Sequence, residues 1–196
     1  FLYLTSGHRD ALAQLTYGVQ EKKGFILLTG EVGTGKTTLL RALLSRLKKD
    51  TAVAYVVNPT LSFDDLLEYL LEDLGVPNAG ARRGQRLMAL NRFLIEQHRA
   101  GSNNLLILDE AQNLDLETLE QIRLLSNFET TSDKVVQIVL AGQPEVTRHR
   151  DLCHLHPFDE PQAEDHAVVC AHSAEHVEGA SRGFGHQEHH DHADCH

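Results

Sequence analysis

The chain has 196 residues, 41% hydrophobic and 23% charged, which suits one α/β domain with a sizeable core and is too short for two ordinary ones. No apolar run reaches the roughly 18 residues of a membrane-spanning helix, and a formal charge of −10 argues against a generally basic nucleic-acid surface, leaving room only for a local patch. The chain opens with Phe1 and its start lacks a signal-peptide pattern, so a fragment of a cytoplasmic protein is expected.

In chain order, Ser6 is placed to cap a helix running to about Lys22, with Leu12, Leu15 and Val19 on one face. Gly24–Thr29 is a short continuous apolar run, the pattern of a buried parallel strand. A second helix follows through Leu39, Leu40, Leu43, Leu44 and Leu47, ending in Lys48 and Lys49, whose charge suits a helix C-terminus. Ala52–Val57 reads as a strand broken by Asn58-Pro59. Ser62, with Asp65 three residues on, opens a helix that Gly75 stops. A polar connection, 76–84, precedes a helix from about Gln85 to Arg99 carrying Leu87, Leu90, Leu94 and Ile95. Then come a strand at Leu105–Leu108, a helix near Leu116–Phe128 and a strand at Val135–Leu140. Four strands alternating with helices predict a doubly wound, mostly parallel sheet with helices on both faces.

Gly30-Glu31-Val32-Gly33-Thr34-Gly35-Lys36-Thr37 fits G-x-x-x-x-G-K-S/T, the Walker A pattern, at every fixed position. It lies after a strand and opens a helix, where the chemistry needs it. Glycines let the backbone wrap a phosphate, and amides at a helix N-terminus point at the anion. In this reading of the loop Lys36 reaches the β- and γ-phosphates, Thr37 ligates Mg²⁺, and Thr38 lies toward the α-phosphate. A glycine-rich turn with an exposed lysine is the bland alternative, but a chance match in such a chain has a probability of roughly 1%.

Leu105–Leu108 leads into Asp109-Glu110, two acids at the carboxyl end of a strand, where a parallel sheet meets its ligand. As a Walker B pair, Asp109 is expected to hold Mg²⁺ and Glu110 to orient and polarise the attacking water. Acids also suit the start of any loop and helix, so the upstream phosphate loop is what gives the pair its meaning. Gln143 follows the next strand and is expected beside the γ-phosphate if that strand lies between the other two; a turn glutamine before Pro144 is the alternative.

The stretches FLYLTSGHRDAL, GFILLTGEVGTGKTTLLRALL, LLILDEAQNL, LEQIRLLSNFET and QIVLAGQPE resemble the AAA+ ATPases of the general secretion pathway protein A type over about residues 1–146. Related ATPases of that group serve pilus, exosortase and transposition systems. The resemblance implies ATP as nucleotide, a sheet order in which the Gln143 strand separates the phosphate and acidic motifs, and Gln143 as a polar sensor. It also implies His8 and Arg9 near the adenine, a homo-oligomer, and hydrolysis that drives conformational change. For secretion members it further implies an inner-membrane partner and peptidoglycan, engaged through regions outside this chain. A DNA partner of the transposition type would need a basic face, which the near-neutral 1–146 stretch, with 15 Lys and Arg against 18 Asp and Glu, does not favour.

The resemblance stops where composition changes. Residues 147–196 hold all three cysteines, eleven of the thirteen histidines and no lysine. Only seven of the fifty are Leu, Ile, Val or Phe, below the roughly 20% that a packed core needs. The expected organisation is therefore an incomplete ATPase core over 1–146 and an acidic, His-rich tail over 147–196 that is disordered or frame-shifted. The last strand and helical lid are expected to be missing or divergent, since Val168 and Val169 alone do not predict a fifth strand. Arg148 and Arg150 are present, but nothing aligns either with the arginine that completes a neighbouring subunit's site. A nucleotide-dependent switch with little turnover is then the alternative to an ATPase. His172, His176, His186, His189, His190, His192, Cys195 and His196 have the chemistry for Zn²⁺ or Ni²⁺ but no supporting core, so adventitious binding is the expectation.

Overall fold

A helix α1, Ser6–Gln20, leads into strand β1, Phe25–Thr29, in the computed structural model, which describes residues 5–57, 59–76, 80, 82–130, 134–148 and 168–172. Helix α2 (Lys36–Leu44), strand β2 (Ala52–Val57) and helices α3 (Phe63–Asp73) and α4 (Arg83–Arg99) follow. Strand β3 (Asn104–Asp109) then gives way to a 3₁₀ turn at Ala111–Asn113 and helix α5 (Leu116–Leu125). Strand β4 (Gln137–Gly142), a second 3₁₀ turn at Pro144–Arg148 and strand β5 (Val168–His172) complete the order.

The sheet runs β2-β3-β4-β1-β5. Its first four strands are mutually parallel, and β4 lies between β3 and β1, the order that the resemblance implies. Every residue of β3 and β4 is buried, because central parallel strands have helices on both faces. Alternation along the strands divides the core. Phe25, Leu27, Ala54, Val56, Leu106, Leu108, Ile138 and Leu140 pack against α3, α4 and α5. Ile26, Leu28, Leu105, Ile107, Val139 and Ala141 pack instead against Leu12 and Leu15 of α1 and Leu39, Leu40 and Leu43 of α2. Each Leu, Ile, Val or Phe side chain among them contributes roughly 1.5–3 kcal/mol by leaving water.

Local boundaries differ from the sequence expectations for identifiable reasons. Thr5, not Ser6, caps α1: its hydroxyl accepts from the His8 amide at 3.3 Å, and the His8 ring accepts the Thr5 amide in return. Helix α2 ends at Leu44 rather than near Lys49, with a tighter turn in which Arg46 N–H reaches Leu43 O. Helix α5 stops at Leu125 instead of Phe128, where the Ser126 hydroxyl bonds the Arg123 carbonyl at 2.6 Å. Ser62 caps α3 as expected, accepting from Asp65 N–H.

The fifth strand is the larger correction. The position is divergent rather than empty: residues 168–172 pair antiparallel with β1, Thr29 against Val168 and Phe25 against His172. The outer edge of β1 would otherwise present unpaired backbone groups, so even a segment as short as Val-Val-Cys-Ala-His gains a ladder there. On the opposite edge the Asp73 carboxylate accepts from the backbone N–H of Tyr55 in β2. The other tail positions singled out in the sequence, Arg150 and the histidines beyond His172 among them, lie outside the described residues.

Helix α1 ends in a Schellman turn, Lys23 N–H to Gly18 O and Lys22 N–H to Val19 O, which puts Lys22 at φ 52°. A side chain in that left-handed conformation costs about 1–2 kcal/mol relative to glycine. Lys22→Gly should therefore raise stability by about 0.5–1 kcal/mol in urea unfolding, less than the full strain because glycine has more entropy to lose. An unchanged or lower midpoint would contradict this account of the helix end.

Candidate functional site

The loop from Gly30 to Gly35 joins β1 to α2 and is shaped by its own backbone. Gly30 N–H donates to Gly142 O at 3.3 Å, which pins the start of the loop to the end of β4. The Thr34 amide and hydroxyl both donate to Glu31 O, at 3.3 and 2.8 Å, closing the turn. Gly33 and Gly35 have φ of +85° and +80°, a region that side chains strain. Gly35 is the N-cap of α2, so no side chain closes that helix end and its first-turn amides stay free to meet an anion. Lys36 is only 7% exposed, and its ammonium donates to Gly30 O at 2.7 Å and Glu31 O at 2.9 Å. The result is a buried positive charge inside the curve of the loop.

Helix α1 braces that loop from outside. His8 Nδ1 accepts the Thr5 amide, so the ring proton is on Nε2, which donates to Thr34 O at 2.9 Å. The ring packs closely enough that a Cβ on Gly35 would lie 2.9 Å from His8 Nε2. Arg9, one residue on, is exposed in the first turn of α1.

Strand β3 brings the acids. Asp109 ends the strand with 1% exposure, facing the α2 side, as Leu105 and Ile107 do on alternate positions. Its Oδ2 accepts from the Thr37 hydroxyl at 2.8 Å and from the Tyr55 hydroxyl at 3.1 Å, and its Oδ1 accepts from Glu110 N–H at 3.0 Å. Tyr55 reaches it because β2 and β3 run in parallel register, Tyr55 beside Ile107 and Val57 beside Asp109. Burial, then the Asp109 charge and the hydrogen bond to it, push the Tyr55 hydroxyl up to about 12. Glu110 has φ 60° and ψ 40°, a left-handed backbone that a non-glycine residue adopts only when its surroundings enforce it. Here Asn113 N–H holds Glu110 O at 3.0 Å, and Gln112 Nε2 holds Glu110 Oε2 at 2.5 Å. The other end of the Gln112 amide accepts Gln143 N–H at 3.1 Å.

The structure therefore brings Gly30, Gly33, Thr34, Gly35, Lys36, Thr37, Thr38, Asp109, Glu110 and Gln143 together at the carboxyl ends of β1, β3 and β4. Glu31 and Val32 belong to the loop through their backbones, since the side chain of Glu31 is exposed and Val32 is 78% exposed. A hydroxyl and a buried carboxylate 2.8 Å apart offer the hard oxygen donors that Mg²⁺ prefers. Sequence reasoning missed Tyr55, Gln112, Gly142 and the bond from His8 to the loop. A tyrosine inside AVAYVV and an amide two residues after Glu110 were the available signals. Among the described residues no group of three or more His, Cys, Asp or Glu is arranged to hold a metal ion, and no helix is long and apolar enough to cross a membrane. The candidate Zn²⁺ or Ni²⁺ tail residues lie outside the described residues, except His172, which the structure describes only as part of β5.

The family described as "AAA domain" matches residues 19–149. The chain is 45% identical to general secretion pathway protein A of Aeromonas hydrophila over 147 residues, 74% of this chain and 27% of that protein. It is 32% identical to ATP-dependent target DNA activator B of Escherichia phage D108 over 61% of this chain and 35% of that protein. The chain thus spans between a quarter and about a third of the length of these relatives. The fold is similar to that of Cdc6p from Pyrobaculum aerophilum, with a TM-score of 0.60 at 22% identity over 80% of this chain and 43% of that one.

The Tyr55 shift has a direct consequence for pH. The folded chain holds this proton more tightly than the unfolded chain, whose ordinary value is 10.0, so the stabilisation is complete below 10 and fades as pH rises through about 12. Urea unfolding across that window should show a steeper alkaline loss of stability for the parent than for Tyr55→Phe. Superimposable pH profiles would contradict the placement of Tyr55 against Asp109.

Proposed function

The chain belongs to the AAA domain family, and from that membership we propose that it binds Mg·ATP and hydrolyses it to ADP and phosphate. The observation that carries the reading is the 2.8 Å contact between Thr37 and Asp109, which unites the phosphate loop and the acidic strand end across 72 residues. Lys36 and the amides of the loop and first turn of α2 hold the phosphates, with Gly30, Gly33 and Gly35 supplying close backbone approach. Thr37 and Asp109 hold magnesium, which when bound neutralises charge on the phosphate oxygens. Tyr55 and Glu110 N–H fix the Asp109 carboxylate from two further sides. Glu110 orients and polarises a water in line with the γ-phosphorus. The water oxygen bonds to phosphorus as the bond to the β-phosphate bridging oxygen breaks; ADP leaves, and the proton the water loses ends on the released phosphate. Gln143, at the end of the intervening strand, faces the γ-phosphate. His8 and Arg9 lie toward the adenine. Catalysis of this kind is positioning and electrostatics rather than covalent chemistry.

The same reading places an ATPase core in 1–146 with 147–196 as a His-rich tail that lends the strand β5 to the core's sheet, and assembly of the core into a homo-oligomer in the cytoplasm. Identity of 45% to general secretion pathway protein A supports service in secretion-system assembly, with an inner-membrane partner and peptidoglycan engaged by other regions. The phage relative, by its name an ATP-dependent target DNA activator, supports a second reading with DNA as partner. DNA binding that weakens steeply with salt would favour it.

Two variants test the site. Lys36→Ala should weaken Mg·ATP binding about 10–100-fold in calorimetry, the range for losing a charge-assisted hydrogen bond to phosphate. Glu110→Gln should bind as the parent does and lose about 100-fold or more in single-turnover rate. Parent-like binding by folded Lys36→Ala, or parent-like turnover by Glu110→Gln, would refute these roles.

A further inference from the structure

Gln112 lies on the 3₁₀ turn after β3 and bonds at both ends of its amide. The acceptor for Gln143 N–H has to be Oε1, because a backbone amide only donates; Nε2 is thereby turned toward Glu110 Oε2. One side chain thus spans from the carboxylate of Glu110 to the backbone at the end of β4. The approach depends on a missing side chain at 142. A Cβ on Gly142 would lie 2.8 Å from Gln112 Oε1, 2.7 Å from Val146 Cγ2 and 3.3 Å from the Gln112 backbone nitrogen. The backbone of Glu110 is already fixed in a left-handed conformation, while its carboxylate has free torsions that only a side-chain contact can restrict. The anchor, Gln143 N–H, follows directly on β4, a strand buried at every residue.

We infer that Gln112 is a positioning residue that locks the Glu110 carboxylate to the end of β4, making the water-orienting acid and the strand end that faces the γ-phosphate one hydrogen-bonded unit. This rests on the hydrolytic reading given above.

The test uses the 196-residue chain, Mg·ATP calorimetry and single-turnover hydrolysis, with Gln112→Met and Gln112→Glu compared with the parent. Methionine keeps the length and loses both bonds. Glutamate keeps an acceptor for Gln143 N–H but sets a second carboxylate against Glu110. Both should bind Mg·ATP within about threefold of the parent and lose about 10–100-fold in turnover, a split that a merely structural role would not produce. Parent-like turnover in Gln112→Glu would mean that the residue only caps β4 and would overturn the inference, even if Gln112→Met were slow or unfolded. Equal losses in binding and turnover would overturn it as well. A parent chain that binds Mg·ATP without cleaving it would defeat the hydrolytic reading and the inference together, a result visible in the parent trace alone.

Discussion

A single hydrogen bond, Thr37 to Asp109, closes the site, and the rest of the fold is arranged so that it can form. Its two ends come from the start of α2 and the end of β3, which are not neighbours in the sheet: β4 separates β3 from β1. Parallel pairing of all three strands aligns their carboxyl ends, so the loops that leave them converge on one edge. Alternation along β3 then decides which face Asp109 uses. Leu105, Ile107 and Asp109 point toward α2, and the residues between them point toward α3, α4 and α5. A one-residue slip in register would send the carboxylate to the wrong side of the sheet.

Concentrating charge and polar backbone at that edge has a cost that the surroundings offset. A carboxylate with 1% exposure is stable only when its oxygens are satisfied, and three donors reach Asp109, from α2, from β2 and from the next residue of the chain. Lys36 is buried against two carbonyls of its own loop. The left-handed conformation at Glu110 is held by the turn that follows it. Each device is local, but each depends on the strands below, which are packed between the two apolar clusters.

Much of this was legible in the amino-acid order. The apolar run of β1, the glycines of the loop and the paired acids after β3 are set by local chemistry, so their meaning survives without coordinates. What could not be read depended on contacts between distant segments. Thr5 caps α1 because His8 completes the reciprocal bonding, a role that a histidine does not advertise. Tyr55 meets Asp109 only through the β2–β3 register. Gln112 reaches Gln143 only because residue 142 has no side chain, which neither segment reveals alone. The strand at 168–172 pairs with the open edge of β1, a partner that the composition of the surrounding tail does not reveal.

In the proposed function Thr37 and Asp109 act as one oxygen site for the magnesium of Mg·ATP. A double-mutant cycle on ATP affinity with and without Mg²⁺, using Thr37→Val, Asp109→Asn and the pair, tests it most directly. The account predicts that either substitution removes most of the magnesium dependence and that the double variant is little worse than either single one. Fully additive effects, or a parent affinity indifferent to Mg²⁺, would contradict it.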